Sequence, residues 1–175
     1  MYKGIAGSEG IGIGKVVIIE EHEINIENKK VTDTDNEIKR LQDAIEKFVE
    51  ITNQMAEKMD VTVGKKDADI LRGHIQMLQD PMIEEQISTL LVAEKITAEM
   101  AVDQVLEQTA EMFAQIPDEL LQQRATDFRD IKTRMIKILL GIEEVDISQV
   151  PANTVLVARD LTPSMTAGIN PDNIA

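Results

Sequence analysis

Between residues 34 and 60, Ile38, Leu41, Ile45, Phe48, Thr52, Met55 and Met59 recur at alternating steps of three and four. That spacing lines side chains along one face of a helix. Thr32, Asp33 and Thr34 precede the pattern and can cap its first turn, so a long helix is predicted over 34–60. Gly64 interrupts it. Ile70, Leu71, His74, Met77 and Leu78 then share one face of a second helix. This helix must end before Asp80-Pro81, because a residue preceding proline is pushed out of the helical region. Pro81 suits the first position of a short third helix with Ile83, Ile87, Leu90 and Leu91 inward. Thr97 opens a further pattern through Ala101, Val102, Val105, Leu106, Met112 and Phe113, closed by Pro117. From about Asp118, Leu121, Phe128, Ile131, Met135, Ile138 and Leu139 run to Gly141, placed where a left-handed helix end favours glycine. The middle of the chain therefore reads as an antiparallel bundle of two long helical hairpins.

The two ends have a different pattern. Met1 to Ala6 and Gly14 to Glu20 cluster β-branched residues around a glycine-rich connection, which predicts two short strands. Thr154 to Ala158 reads as a buried strand, and Pro163 can start a short helix reaching about Ile169. Pairing the two ends gives the fold class: mainly α, a four-helix-type antiparallel bundle inserted into a small, incomplete α/β subdomain. Residues 1–20 and 148–175 form the α/β part and residues 21–147 the helical part.

Composition narrows the function. In 175 residues, 18 Lys and Arg stand against 32 Asp and Glu, a formal charge of −14. Such a surface repels nucleic-acid phosphates and anionic lipid heads and favours a basic protein partner. There is no cysteine, which removes disulfides and thiol chemistry. No apolar run reaches membrane-spanning length and no signal-peptide pattern opens the chain, so a soluble cytoplasmic protein is expected. Nine methionines and four aromatic residues suit packed helices and offer few stacking platforms for bases.

The chemistry-bearing residues are few. The glycine run fails the Walker spacing, with Glu9 and Val16 in required positions, and fails the dinucleotide spacing at Lys15 or Val17. Turns and close strand packing are the better reading of these glycines. His74 could carry a phosphoryl group or a proton, but a lone histidine on an apolar helix face is more often packed. His22 lies among Glu20, Glu21 and Glu23 and reads as a solvated loop residue. The two histidines give no metal-ligand spacing. Residues 124–134 alternate charges at helical spacing and read as an exposed salt-bridged face.

Four ordered segments together resemble enzyme I of the bacterial phosphoenolpyruvate-dependent sugar phosphotransferase system. They are Lys3-Gly4-Ile5-Ala6 with Gly10-Ile11-Gly12-Ile13-Gly14-Lys15; Leu71-Arg72-Gly73-His74-Ile75-Gln76-Met77-Leu78-Gln79-Asp80; Arg124 to Ile131; and Leu156 to Ser164. The resemblance implies a phosphoryl route from phosphoenolpyruvate to a histidine of the α/β part and on to the small carrier protein HPr. The family's acceptor histidine lies in a Gly-Gly-Arg-Thr-Ser-His stretch after the Leu-Thr-Pro-Ser motif, and the chain stops before it. The phosphoenolpyruvate and magnesium site, and the homodimer contact, belong to a C-terminal barrel that is also absent. The resemblance thus implies a fragment with no catalytic residue, metal site or cofactor of its own, inactive alone and retaining the HPr-docking face. Carried over by position, that face comprises His74, Met77, Asp80 and Ile83, with Phe113, Ile116, Leu121 and Arg124 around the Pro117 turn. An apolar patch rimmed by acids would suit a carrier with basic residues around its active histidine.

The sequence departs from the family pattern in places. Lys65-Lys66 stand where relatives can carry acids, Pro81-Met82 replace acids that some relatives use in docking, and Met165 replaces a common acid after Leu-Thr-Pro-Ser. A fragment of a related phosphoenolpyruvate synthase or dikinase, and a non-enzymatic acidic helical adaptor, are the alternatives. Recognition of HPr separates the first from the main reading, and the coding sequence that follows Ala175 separates the second.

Overall fold

The computed structural model describes residues 9–19, 24–27, 29–142, 150–158 and 169–175. The expected first strand up to Ala6, the helix starting at Pro163, His22 and Met165 lie outside them. The elements are β1 (Lys15–Ile18), α1 (Thr34–Thr62), α2 (Lys65–Leu78), α3 (Pro81–Glu94), α4 (Ala98–Ala114), α5 (Glu119–Leu140), β2 (Thr154–Val157) and a 3-10 turn at Pro171–Asn173.

Four of the five helices begin where the sequence offers a capping oxygen, and α2 starts at Gly64 without one. Asp33 accepts from the Asn36 amide, Asp80 from Met82, Thr97 from Met100, and Asp118 from Leu120 and Leu121. Gly141 ends α5 in the left-handed conformation at φ 67°. The predicted α1 seam is the observed one: Leu41, Ile45, Phe48, Thr52 and Met59 are buried. The α2 face is rotated from expectation. Ile70 is 42% exposed, while Ala68, Leu71, His74, Ile75 and Leu78 face inward. The third helix is as long as the second, 14 residues each.

Helices α1 and α2 form one hairpin and α4 and α5 the other, with α3 laid against α4. One continuous apolar core runs through all five helices around Phe48, Leu78, Ile87, Leu106, Ile131 and Met135. Ala56, Met59, Ala68 and Leu71 form a small second core near the α1–α2 turn. A charged knot holds one end of the bundle. The Arg40 guanidinium grips both Glu37 oxygens at 2.9 and 2.7 Å, bonds to Glu99, and donates to the Leu139 carbonyl at 3.2 Å. Glu37 in turn accepts from the Ala98 amide at the start of α4. Because Glu37 and Glu99 are almost wholly enclosed, the knot ties α1, α4 and α5 through charge-assisted hydrogen bonds.

The two chain ends meet as expected. β1 and β2 pair in parallel, Lys15 opposite Thr154 through Ile18 opposite Val157. Glycine serves close approach here: a Cβ on Gly14 would stand 2.0 Å from the Asn153 carbonyl oxygen. The helical bundle is therefore inserted between two paired strands.

Outside the core, α4 and α5 are bridged by Lys132, which reaches Glu107 at 2.7 Å and Asp103 at 3.2 Å, and by Arg129, which reaches Glu107 at 2.9 Å. The Lys132 hydrogen bond is the main cause holding the Glu107 carboxyl below the usual carboxylate range, against the opposing effect of desolvation. A depressed folded value stabilises the fold above the unfolded carboxylate range, and that contribution is lost as pH falls through the folded value. Glu107→Gln is therefore expected to flatten the acid side of the stability profile and leave stability at neutral pH lower by less than about 1 kcal/mol. Urea melts across acidic pH check this, and superimposable wild-type and variant profiles would contradict it.

Candidate functional site

The site is built where two chain reversals face each other. Asp80 and Pro81 stop α2 and restart the chain as α3, with Pro81 at the first helical position and the Asp80 carboxylate accepting from the Met82 amide at 2.8 Å. Across from it, the chain leaves α4 after Ala114, turns through Pro117, and enters α5 under the Asp118 cap. The Asp118 carboxylate accepts from Leu120 at 2.9 Å and Leu121 at 3.1 Å. Asp80, expected in the docking face, thus also fixes a helix start, as Asp118 does for α5. The carboxylates remain at the surface, next to the positive ends of helices.

Arg124 joins the two halves. Its Nη1 lies 3.9 Å from the Met77 sulfur of α2 and 3.3 Å from the Asp127 carboxylate of α5. The guanidinium crosses α2 at Gly73, where a Cβ would stand 4.0 Å from Arg124 Nη1. Phe113 stacks on Phe128, centroids 5.4 Å apart at an interplanar angle of 27°, which anchors the end of α4 on α5.

The predicted site residues separate by depth. Met77, Phe113 and Ile116 are half-buried, and Leu121, Arg124 and Asp80 are exposed. Ile83 is buried in the core and His74 is fully enclosed, so neither stands at the surface. The periodic reading did not single out exposed apolar groups for this site: Met82 at 66%, Met112 at 57% and Leu120 at 73%. Met112 belongs to the apolar pattern of α4 yet lies on its exposed side. These large apolar side chains stand at the start of α3, the end of α4 and the start of α5.

His74 faces α5. Its Nε2 lies 3.4 Å from Asp127 Oδ1 and its Nδ1 3.5 Å from Asp130 Oδ2. Segment 124–134 is thus only partly the exposed face its alternating charges suggested. Arg124 and Arg129 are at the surface, but Asp130 and Arg134 are buried. Arg134 lies over the Phe48 ring, 4.3 Å from its centroid, and bonds to the Thr52 hydroxyl. Among the described residues no group of three or more His, Asp or Glu could hold a metal ion, and no helix is long and apolar enough to cross a membrane.

The family described as PEP-utilising enzyme, N-terminal, matches residues 3–124. A phosphoenolpyruvate-protein phosphotransferase of Haemophilus influenzae is 36% identical over 99% of this chain, and one of Bacillus subtilis is 32% identical over 96%. The chain spans about 30% of the length of these relatives, 31% and 30% respectively. A solution structure of enzyme I superposes with a TM-score of 0.89 at 35% identity, covering 99% of this chain and 71% of that one. The N-terminal domain of a nitrogen-type enzyme 1 shares the fold, with a TM-score of 0.70 at 23% identity, covering 94% of this chain and 68% of that one.

Proposed function

The chain belongs to the PEP-utilising enzyme N-terminal family, matching the N-terminal domain of enzyme I, and from that premise we propose that it is the docking module for HPr. It serves a protein that moves a phosphoryl group from phosphoenolpyruvate through its own histidine to that carrier, in the cytoplasm. The observation that carries this reading is the bridging of the α2–α3 reversal and the α4–α5 reversal by Arg124. The bridge makes one face out of Met77, Leu121 and their exposed apolar neighbours.

The face has the anatomy of a docking surface: apolar groups in the middle and the carboxylates of Asp80 and Asp118 at the edge. With a net charge of −14, the chain attracts a basic carrier at long range, and the apolar centre holds it once seated. Lys65 and Lys66 lie at the opposite end of α2, about 20 Å from the reversal at 1.5 Å per residue. They reduce the attraction at that end only. His74 is not the phosphoryl acceptor in this reading, because an enclosed imidazole cannot meet a donor. Magnesium and phosphoenolpyruvate are handled in other parts of the parent protein.

Calorimetric titration with HPr tests the proposal. Saturable binding is expected, weakening as ionic strength rises, with no phosphate retained on this chain after incubation with phosphoenolpyruvate. Absence of binding at low salt, or phosphate on His74, overturns it.

A further inference from the structure

We propose that His74 is a positioning residue for carrier docking, an imidazole held between two carboxylates of α5 that aims Arg124 across α2; this rests on the docking reading above. A fully enclosed polar side chain in a native structure calls for an explanation. His74 Nε2 lies 3.4 Å from Asp127 and Nδ1 3.5 Å from Asp130, acids one helical turn apart on α5, at ion-pair distance and without hydrogen-bond geometry. Rolling α2 about its axis, or sliding it along α5, breaks one of the two approaches.

The consequence reaches the surface through Asp127. One of its oxygens faces the imidazole and the other faces Arg124 at 3.3 Å, and the same Arg124 nitrogen lies 3.9 Å from the Met77 sulfur. His74, Asp127, Arg124 and Met77 thus form a continuous path from the core to the docking face. Among the described residues, Arg124 lies on the outer side of this cluster, and Arg134 follows Asp130 by one turn of α5. Helix α1 contributes to Arg134 the Thr52 hydroxyl and the Met55 sulfur. A neutral imidazole offers one N–H to two carboxylates, so the distribution of ring protons is the direct signature of the clamp.

The test uses the full chain and HPr. His74→Leu removes both polar ends, whereas His74→Gln retains an amide N–H that can reach Asp127. His74→Leu is expected to weaken HPr binding about tenfold while far-ultraviolet circular dichroism stays helical, and His74→Gln to restore binding to within about threefold of wild type. The ring nitrogen resonances of His74 are expected to move in both Asp127→Asn and Asp130→Asn. Should His74→Leu fail to fold, the part-exposed Asp127→Asn decides, with a loss of binding expected. Equal binding by wild type and His74→Leu, failure of His74→Gln to rescue, or ring signals unmoved in both acid variants overturns the clamp. If wild type itself does not bind HPr, the docking reading fails, and the ring signals still report whether the imidazole is held.

Discussion

Leu121→Asp is expected to weaken HPr binding by about a hundredfold or more, because a carboxylate at the centre of an apolar interface is desolvated with no partner to receive it. The fold is expected to tolerate the change. Leu121 is already 38% exposed on the first turn of α5, where an added acid is favoured by the helix N-terminus, so stability should change by less than about 0.5 kcal/mol. That separation makes the variant informative: affinity falls while the melting temperature holds. Val61→Asp is the matched control. Val61 is 88% exposed in the last turn of α1, at the other end of the α2 hairpin from the docking face. It should bind HPr as wild type does. Calorimetry on both variants measures the contrast, and equal affinities would remove Leu121 from the interface.

The second large effect is on stability. Phe48→Ala is expected to cost about 4 kcal/mol, the range for deleting a fully enclosed aromatic side chain and leaving a cavity. Phe48 is enclosed at the middle of α1 and its ring also carries the Arg134 guanidinium at 4.3 Å. Truncation removes core volume and a cation–π face together. In a chain of this size, the loss should lower the melting temperature by roughly 8–16 °C. Phe48→Leu, which keeps most of the volume and loses the ring, should fall between the two. A Phe48→Ala melting temperature within a few degrees of wild type would mean that the bundle does not pack around this ring.

Much of the fold was legible because helical period and capping residues agree along the chain. The α1 seam, the stops at Pro81 and Pro117, and the glycine end at Gly141 each rest on local rules that tertiary packing did not override. The phase of α2 was less so. Ile70 and Leu71 are both candidates for the same inward row, and packing against Ala56 and Met59 of α1 takes Ala68 and Leu71 inward and leaves Ile70 outside. The docking face shows the general limit of periodicity. Met112 and Leu121 continue the apolar patterns of α4 and α5, as core residues would, and whether such a position is covered depends on which helix arrives opposite it. His74 was legible as a packed residue from its apolar neighbours. Its acidic partners were not, because Asp127 and Asp130 lie more than fifty positions away in a segment whose alternating charges resemble a solvated face.

The docking claim is tested most directly by methyl cross-saturation from protonated HPr onto the full chain with methyl-labelled Met, Leu, Ile and Val. Saturation is expected to concentrate on Met77, Met82, Met112, Leu120 and Leu121 and to leave Val61 and Val63 untouched. Transfer centred instead on Val16, Ile18 and Val157 of the paired strands, or spread over the outer face of α1, would place the carrier elsewhere and contradict the account.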